Sequence, residues 1–475
     1  MSTSSASALP DSSLYRRVWR WHFYAGLLCL PILVLMAVTG ALYLYKDAIE
    51  WRLDAGWRFV PPTSGPGLDG ESLVQRALAA QPGSAVRFIP PAVSGRSAEV
   101  GVRTYGGVVT VYLDPADGRV LGQQRDDRKL MEVIKRLHSL VIAGPVANHA
   151  VEIVAGWAIV LVVSGVFLWW PRGRSGGVYT LRGRTSQRLW WRDLHAVTGA
   201  AAAVAILFLA VTGMPWSAFW GKQFGQLTND WGVGLPKHLW GKPASTPPLS
   251  SLGDTPWTLI QAPLPESMAH AGHDTAAPSP DHAAHTKTGR DESSAPSPAP
   301  EVMPFGLNQA LRLLAAQGLP PGTPVSLPIG PTGVFTAMSM PDDVTQQRVV
   351  HLDRYTGQVL ADVGYRDYGV VGRAVEWGIQ LHTGRQFGGL NQLVMLAGCL
   401  SIVGLAVSAV VMWWKRRPRG RFAAPPRRAG DRAAIGAIVV AAALGTLYPL
   451  LGASMLAALV LDALVPRRWH ERFGL

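Results

Sequence analysis

Apolar residues in this chain are concentrated in four long runs instead of being spread evenly along it. The runs cover residues 21–45, 147–170, 196–219 and 390–414. Each is long enough for a helix that crosses the hydrocarbon core of a bilayer, which is about 30 Å thick. The first run is too long for a removable signal peptide and lacks a small-residue cleavage site, so we expect it to remain as an anchor. The pattern predicts an α-helical integral membrane protein with a four-helix transmembrane core.

A fifth apolar stretch lies near the C-terminus, at residues 433–465. It would be about 50 Å long as one helix, and Gly445, Pro449 and Gly452 lie near its middle. Arginines flank both ends. We interpret the stretch as a C-terminal helical hairpin with both ends on the cytoplasmic side, followed by a cytoplasmic tail at 466–475. One long tilted helix is the alternative.

The basic residues predict how the chain is oriented, because cytoplasmic loops carry an excess of Lys and Arg. Three basic clusters fall in residues 1–20, 171–195 and 415–432. The four runs place all three on one side, which is therefore predicted to be the cytoplasm. The longer segments, 46–146 and 220–389, then lie outside. We expect a multi-pass protein of the bacterial inner membrane with a cytoplasmic N-terminus and large periplasmic loops.

Composition supports this interpretation and excludes others. Only 16% of the residues are charged, compared with about 25% in soluble domains. The net charge of +13 could indicate nucleic acid, but the basic residues lie beside the apolar runs, so no nucleic-acid partner is expected. Cys29 and Cys399 both lie inside apolar runs. They provide neither a disulfide framework nor a cysteine-based metal site.

The chain contains a twofold internal repeat, with matches separated by 173 residues in one set and by 244 in the other. The matches are His22 with His195, 39–40 with 212–213, His138 with His382, and 169–170 with 413–414. The external segments share strand-turn-strand patterns at 111–121 and 350–360, typical of β-hairpins. We predict that each unit consists of a span, an external α+β module and a second span. Both units then face the same way, around a pseudo-twofold axis along the membrane normal.

This symmetry predicts that the histidines act in pairs. His22 and His195 would lie at one depth near the cytoplasmic face, and His138 and His382 at another near the external face, about 20 Å away. Ionisable side chains there are costly and usually have a partner. Axial ligation of b-type haem by two neutral imidazoles fits both levels, giving two haems. Zinc fits less well, because it takes three or four protein ligands. Interfacial histidines bonded to water or a carbonyl are the alternative.

Other polar residues near these levels are open to more than one interpretation. Four arginines could pair with haem propionates or could simply set the topology; they are Arg16, Arg20, Arg192 and Arg385. His149 lies outside the symmetric set. It could replace His138 as a ligand, lie at a haem edge or be a polar interfacial residue. No catalytic residue can be assigned.

Four short sequence motifs together resemble the PepSY-associated transmembrane family over most of residues 14–420. They are Trp21-His22-x-Tyr24-x-Gly26, Leu137-His138, Leu381-His382 and Ser164-Gly165 running to Trp169-Trp170-Pro171-Arg172. The resemblance implies that the external modules are PepSY domains. It also implies a dihaem inner-membrane reductase that acts on ferric iron, commonly a ferric siderophore, from the periplasmic side. The family's histidines correspond to His22, His138, His195 and His382. No flavin or nicotinamide motif is visible, so a quinol or a separate cytoplasmic reductase would donate electrons.

An insertion at 263–303 departs from the family pattern. It is rich in Pro, Ser and Ala, so we predict a disordered external linker in the second module. It contains four histidines that could bind Cu, Zn or Ni weakly, or that simply belong to a flexible polar loop: His270, His273, His282 and His285.

Two other classes of function compete with the reductase. One is a non-enzymatic, membrane-anchored protein whose PepSY-like modules bind a peptide or partner while the histidines are structural. The other is a metal-handling accessory protein, which is less favoured because Glu152 is the only acidic residue well inside a span. A reductase would release iron from a ferric chelate because hard oxygen ligands bind Fe(II) more weakly than Fe(III).

Overall fold

The computed structural model describes residues 13–62, 65, 67–171, 176–235, 247–267, 305–417 and 435–464. The α-helices within these ranges are, in chain order, α1 (Ser13–Tyr43), α2 (Lys46–Leu53), α3 (Ala55–Arg58), α4 (Gly70–Ala80), α5 (Leu130–His138), α6 (Pro145–Trp169), α7 (Arg188–Gly213), α8 (Trp220–Asp230), α9 (Leu307–Ala316), α10 (Val370–His382), α11 (Gly388–Arg416), α12 (Ile435–Leu447) and α13 (Pro449–Leu464). The strands are β1 (Ser84–Ile89), β2 (Ala98–Thr104), β3 (Gly107–Leu113), β4 (Val120–Arg125), β5 (Val325–Ser326), β6 (Val334–Ser339), β7 (Arg348–Asp353) and β8 (Val359–Gly364).

Four helices, α1, α6, α7 and α11, are long and apolar enough to cross a membrane. The prediction of four membrane-spanning helices is therefore confirmed. The helices form a ring in which α1 packs against α6 and α11, and α7 packs against the same two. As a result, α1 and α7 occupy opposite corners, and side chains from these two helices can meet across the bundle axis.

Helix α7 differs from the predicted span at both ends. It begins at Arg188, earlier than predicted, and stops at Gly213. A short 3-10 turn, Met214–Trp216, follows it. Pro215 explains the stop, because proline lacks the backbone N–H that the helix needs and disfavours helical geometry in the residue before it. The predicted residues beyond this turn lead into α8.

The strands form one antiparallel sheet in the order β4-β3-β2-β1-β5-β6-β7-β8. Four strands come from the segment between α1 and α6, and four from the segment between α7 and α11. The two sets join where Phe88 of β1 pairs with Val325 of β5. Both strand-turn-strand patterns noted in the sequence form hairpins, β3–β4 and β7–β8. The two segments between the spanning helices are thus connected edge to edge.

One face of the sheet packs against α4 and α9 in a hydrophobic core. Leu73 and Ala77 of α4 meet Ala310 and Leu314 of α9 above the central strands. The opposite face is also buried but carries polar groups. Thr336 and His351, opposite each other on β6 and β7, are fully buried and joined by a 2.8 Å hydrogen bond between the Thr hydroxyl and Nδ1.

The C-terminal residues described form two short helices, α12 and α13, that pack against each other. Gly445 and Gly452 lie where the helices are closest. Helix α13 also packs against α6, where Trp157 Nε1 donates a 3.0 Å hydrogen bond to Ser454 Oγ. The geometry is that of a hairpin seated on the bundle.

We expect Gly452→Leu to destabilise this hairpin. A Cβ atom at Gly452 would lie 2.5 Å from the Gly445 Cα atom, and overpacking of this kind typically costs about 1–3 kcal/mol. Thermal unfolding of the detergent-purified protein measures the effect. Gly404→Leu is the matched control, because a Cβ there meets no atom within 4 Å. Equal unfolding midpoints for the two variants would contradict the observed packing.

The buried His351 predicts acid sensitivity of the sheet. Burial lowers the pKa of His351 to about 3, compared with about 6.5 in an unfolded chain. Below pH 6.5 the unfolded chain binds a proton that the folded sheet does not, so stability falls as the pH falls. At pH 4.5 the loss is about 2.7 kcal/mol, since each pKa unit corresponds to about 1.36 kcal/mol.

The double variant T336V/H351L tests this expectation, because it removes the imidazole together with its hydroxyl partner. Its unfolding midpoint should fall less than that of the wild-type protein between pH 7 and pH 4.5. If both proteins lose stability in parallel, His351 is not the source of the acid sensitivity.

Candidate functional site

Two of the predicted histidines face each other across the bundle axis. The ring centroids of His22 on α1 and His195 on α7 are 6.4 Å apart, with the ring planes at 90°. A metal ion midway would be half this distance from each centroid. That spacing suits an imidazole nitrogen–metal bond of about 2.0–2.1 Å plus the radius of the ring itself. We call His22 and His195 the far-end pair, because they lie at the end of the bundle away from the sheet.

The orientation of His22 is set by a serine hydroxyl on the neighbouring helix α6. Ser164 Oγ lies 2.9 Å from His22 Nδ1 and donates a 2.6 Å hydrogen bond to the Val160 carbonyl. A hydroxyl has one proton. Because that proton goes to Val160, Ser164 must accept a hydrogen bond from Nδ1–H. In the neutral imidazole the proton is thus on Nδ1, and the lone pair on Nε2 is available to a ligand.

His195 is oriented in the same way by α11. Its Nδ1 lies 2.9 Å from Ser408 Oγ, and this hydroxyl donates to the Leu405 carbonyl at 2.9 Å. The Leu405 carbonyl also lies 3.2 Å from Nδ1. A carbonyl oxygen only accepts hydrogen bonds, so Nδ1 again carries the proton and Nε2 has the free lone pair.

The other two histidines, at the ends of α5 and α10, form the sheet-end pair, His138 and His382. Each is oriented by a threonine on a spanning helix. His138 Nδ1 lies 2.9 Å from Thr39 Oγ1 on α1, and His382 Nδ1 lies 2.9 Å from Thr212 Oγ1 on α7. Both threonine hydroxyls donate to the carbonyl four residues earlier, at 2.6 Å. The same reasoning therefore places the proton on Nδ1 and the lone pair on Nε2.

The two sheet-end histidines interact electrostatically. Burial, together with a smaller effect of the nearby His138 imidazole, lowers the pKa of His382 to about 4. Burial also lowers the pKa of His138. Both imidazoles are therefore neutral at pH 7, which is the form that binds metal ions.

Small residues let three of these imidazoles approach a neighbouring helix closely. Cβ atoms added at Gly165, Gly40 and Gly213 would lie 3.2 Å, 3.4 Å and 3.6 Å from the Cε1 atoms of the histidines that pack there. Each glycine directly follows the hydroxyl residue that holds the same ring. The recurring Ser-Gly and Thr-Gly pairs thus combine a hydrogen-bond acceptor with space for the ring.

A sharp turn follows each sheet-end histidine. Leu140 and Gly384, two residues beyond His138 and His382, have positive φ values of 54° and 75°. This left-handed conformation ends a short helix and redirects the chain into the next spanning helix. Leu140 is the one described residue other than glycine with this geometry, so the turn is maintained there despite an unfavourable side chain.

The two pairs lie at different levels of the bundle. On α1 the far-end histidine His22 is 17 residues from Thr39, and on α7 the same number separates His195 from Thr212. At a rise of about 1.5 Å per residue, the levels are about 25 Å apart along the helices. Our sequence-based value of about 20 Å is close to this spacing.

The donor set suits a ligand that completes its own equatorial coordination. Within the described part of the chain, no three His, Cys, Asp or Glu side chains are grouped to hold a metal ion. The histidines come in twos, which disfavours zinc. All four histidines are half-buried, so space adjoins each of them. Two opposed imidazoles with such space fit the axial positions of a haem iron.

The four predicted propionate partners have varied surroundings. Arg192 donates to Asp193, a fully buried carboxylate that also pairs with Arg182. Arg385 lies 3.7 Å from Asp47 and 4.0 Å from Asp342. Two of the four arginines therefore already have carboxylate partners.

The remaining two arginines lie in the first turns of α1. The Arg20 guanidinium sits 5.3 Å from the centre of the Tyr24 ring. Arg16 precedes it by four residues on the same half-buried side of the helix. Both lie close in sequence to His22. Their role as partners of haem propionates stays a prediction.

The structure places His149 on the surface of α6, where Nδ1 donates to the Pro145 carbonyl of the same helix at 2.7 Å. This bond holds the imidazole against its own helix. The predicted linker histidines, His270, His273, His282 and His285, lie outside the described residues.

Glu152, the acidic residue well inside a span, has a structural partner. Its Oε2 accepts hydrogen bonds from the backbone N–H groups of Phe219 and Trp220, at 3.0 Å and 3.1 Å. These groups begin α8, and a carboxylate is favourable at a helix N-terminus. Glu152 therefore fastens α8 to α6.

Sequence reasoning identified the histidine pairs but not the groups that orient them. Ser164, Ser408, Thr39 and Thr212 were visible as matched positions in the repeat, without a role. The available signal was their position: each is followed by a small residue and lies at a depth equal to that of a histidine on another helix. Which helices would be neighbours could not be read from this spacing.

Comparison with known families gives one match. A family model described as the PepSY-associated TM region matches residues 19–416. None of the curated proteins compared with the chain matches it. The matched range contains all four paired histidines and their hydroxyl partners. It ends at Arg416, the last residue of α11, so α12 and α13 lie beyond it.

Proposed function

Because the chain belongs to the PepSY-associated TM family, as its sequence motifs predicted, we propose that it is a dihaem membrane oxidoreductase that carries electrons across the bilayer to ferric iron. Each histidine pair would hold one haem b. The acceptor would be a ferric chelate, such as a ferric siderophore, at the sheet end. Haem, when bound, would supply a one-electron redox centre at each level.

One observation carries the proposal most strongly: His22 and His195 face each other at 6.4 Å with both Nδ1 atoms already engaged. A histidine kept for packing or solvation needs neither an opposed partner nor a defined tautomer. Both features are needed for axial ligation. The matched hydroxyl contacts of His138 and His382 extend the argument to the second level.

The residues of the chain divide the work between ligation and support. The four Nε2 atoms would bind the haem irons, and the hydroxyls hold the rings so that little ordering would be required on binding. Gly40, Gly165 and Gly213 keep the rings close to their helices. We infer that the halves of the chain are related by a pseudo-twofold axis along the membrane normal, since matched residues make matched contacts.

We infer that the sheet end is periplasmic and the far end is cytoplasmic, in a bacterial inner membrane. The basic residues support this orientation, since Arg188, Arg192, Lys415 and Arg416 lie at the ends of α7 and α11 away from the sheet. Electrons would enter at the far-end pair, from a quinol or a separate cytoplasmic reductase. They would leave at the sheet-end pair, where reduction loosens iron from hard oxygen ligands.

The absorption spectrum of the detergent-purified protein tests the cofactor assignment. We expect about two haem equivalents per chain, with reducible α bands. His195→Ala and His382→Ala should each lose one haem, since one axial ligand of each pair is removed. His149→Ala is the matched control, because His149 bonds to its own helix and should retain both.

Two results would contradict the proposal. A folded but colourless protein would favour the non-enzymatic, partner-binding alternative, in which the histidines are structural. Retention of both haems by His195→Ala and by His382→Ala would show that these pairs do not ligate iron.

The hydroxyl contacts make a separate prediction. Ser408→Ala and Thr212→Val should weaken haem binding by about 10- to 100-fold, the usual effect of removing a group that orients a metal ligand. Haemin titration of the haem-depleted protein measures this change. Ser401→Ala on α11 is the control, since its Oγ donates to the carbonyl of Ala397. Equal affinities for all three variants would show that the hydroxyls do not support the ligands.

A further inference from the structure

A buried carboxyl group lies on the helix that carries His382. Glu376 of α10 is 2% exposed and precedes His382 by six residues, about 9 Å along the helix. Its Oε1 accepts a 2.9 Å hydrogen bond from the Thr258 backbone N–H. The Gln347 side chain also hydrogen-bonds the carboxyl. This acidic residue has no part in holding the histidines.

No cation neutralises Glu376: among the described residues, it takes part in no ion pair. A buried carboxylate without a cation is unfavourable. Burial raises the pKa of Glu376. The carboxyl is therefore poised to bind a proton.

The titratable and charged groups around Glu376 come from few elements. Five titratable or charged side chains lie in this region. Four belong to the turn at Tyr365–Asp367 and the residue after it, and the fifth is on α10: Tyr365, Arg366, Asp367, Tyr368 and Arg373. The 3-10 turns Trp257–Leu259 and Val344–Gln346 contribute none, and α7 packs near α10 through Thr212, opposite Gly378. Three of these five groups, Arg366, Asp367 and Arg373, are charged, and among the described residues none of them forms an ion pair with Glu376.

Two neighbouring buried oxygen atoms can accept a hydrogen bond from this carboxyl when it is protonated. Tyr368 Oη and Gln347 Oε1 are buried and have no hydrogen-bond partner among the described residues. An ionised carboxylate cannot donate to either, whereas a protonated one has an O–H to give. The neutral form of Glu376 can therefore donate to one of these two oxygens, which the ionised form cannot do.

A cavity lies beside Thr258, the residue whose N–H binds Glu376. It has a volume of about 570 Å³ and lies between α8 and the segment around Trp257. Thr258, whose N–H binds Glu376, lines it together with Trp216, Lys222 and Gln261. The cavity also reaches Pro215, three residues beyond Thr212, which holds His382. Water in this cavity would contact Thr258, whose backbone N–H binds Glu376.

We propose that Glu376 is the proton-binding residue of the sheet-end redox site, an inference that rests on the proposed function. The residue binds one proton as one electron arrives at the haem held by His138 and His382. It releases that proton toward the cavity as the electron leaves. Electron and proton then reach the ferric chelate together: Fe(III) becomes Fe(II), and the proton goes to a ligand oxygen.

Redox titration of the protein with both haems tests this proposal between pH 5.5 and pH 8.5. In the wild-type protein, one of the two midpoint potentials should fall by up to about 59 mV per pH unit, the one-electron equivalent of a tenfold change in proton activity. In Glu376→Gln this slope should be lost, while the other midpoint is unchanged. Glu266→Gln, at an exposed position, is the matched control and should behave as wild type.

Infrared difference spectroscopy of the wild-type protein provides a second readout that does not depend on folding of a variant. Reduction should produce the C=O band of a protonated carboxyl group, and Glu376→Gln should lack it. An unchanged slope in Glu376→Gln, or no carboxyl band in the wild-type protein, would overturn the role of Glu376 alone. A protein without haem would overturn the proposed function and this inference together.

Discussion

The arrangement of this protein depends on one hydrogen bond that occurs four times, from an imidazole Nδ1–H to a serine or threonine hydroxyl on a neighbouring helix. The hydroxyl uses its single proton for a carbonyl of its own helix, so it can only accept from the imidazole. That constraint fixes the tautomer of each histidine without any charged group. It also directs every Nε2 lone pair away from the anchoring helix. In an apolar bundle, where an unsatisfied polar group is costly, such a bond is difficult to give up.

The rest of the fold brings these bonds into register. The ring of spanning helices puts α1 and α7 at opposite corners, so His22 and His195 face each other. The short helices α5 and α10 each end on a histidine, and the tight turns at Leu140 and Gly384 return the chain to the bundle. The continuous sheet joins the two segments that connect α1 to α6 and α7 to α11. Glu152 fastens α8 to α6, and the C-terminal hairpin packs against α6.

Much of this could be predicted from the sequence, because the controlling signals are periodic. Hydropathy alone identified the four spans, and the register of His22 with His195 predicted their pairing. The strand-turn-strand patterns at 111–121 and 350–360 predicted both hairpins. What could not be predicted depends on contacts between distant segments. Strand β5 is only two residues long, so nothing in its sequence signals that it joins β1. The environment of Glu376 is set by Thr258, 118 residues earlier in the chain.

The central claim, that each level of the bundle holds one iron between two neutral imidazoles, has a direct spectroscopic test. Electron paramagnetic resonance of the oxidised, detergent-solubilised protein reports the spin state and axial ligands of every ferric haem. The account predicts two low-spin ferric signals of equal intensity, each typical of bis-imidazole ligation. High-spin iron, or a single low-spin signal accounting for all of the bound haem, would contradict it.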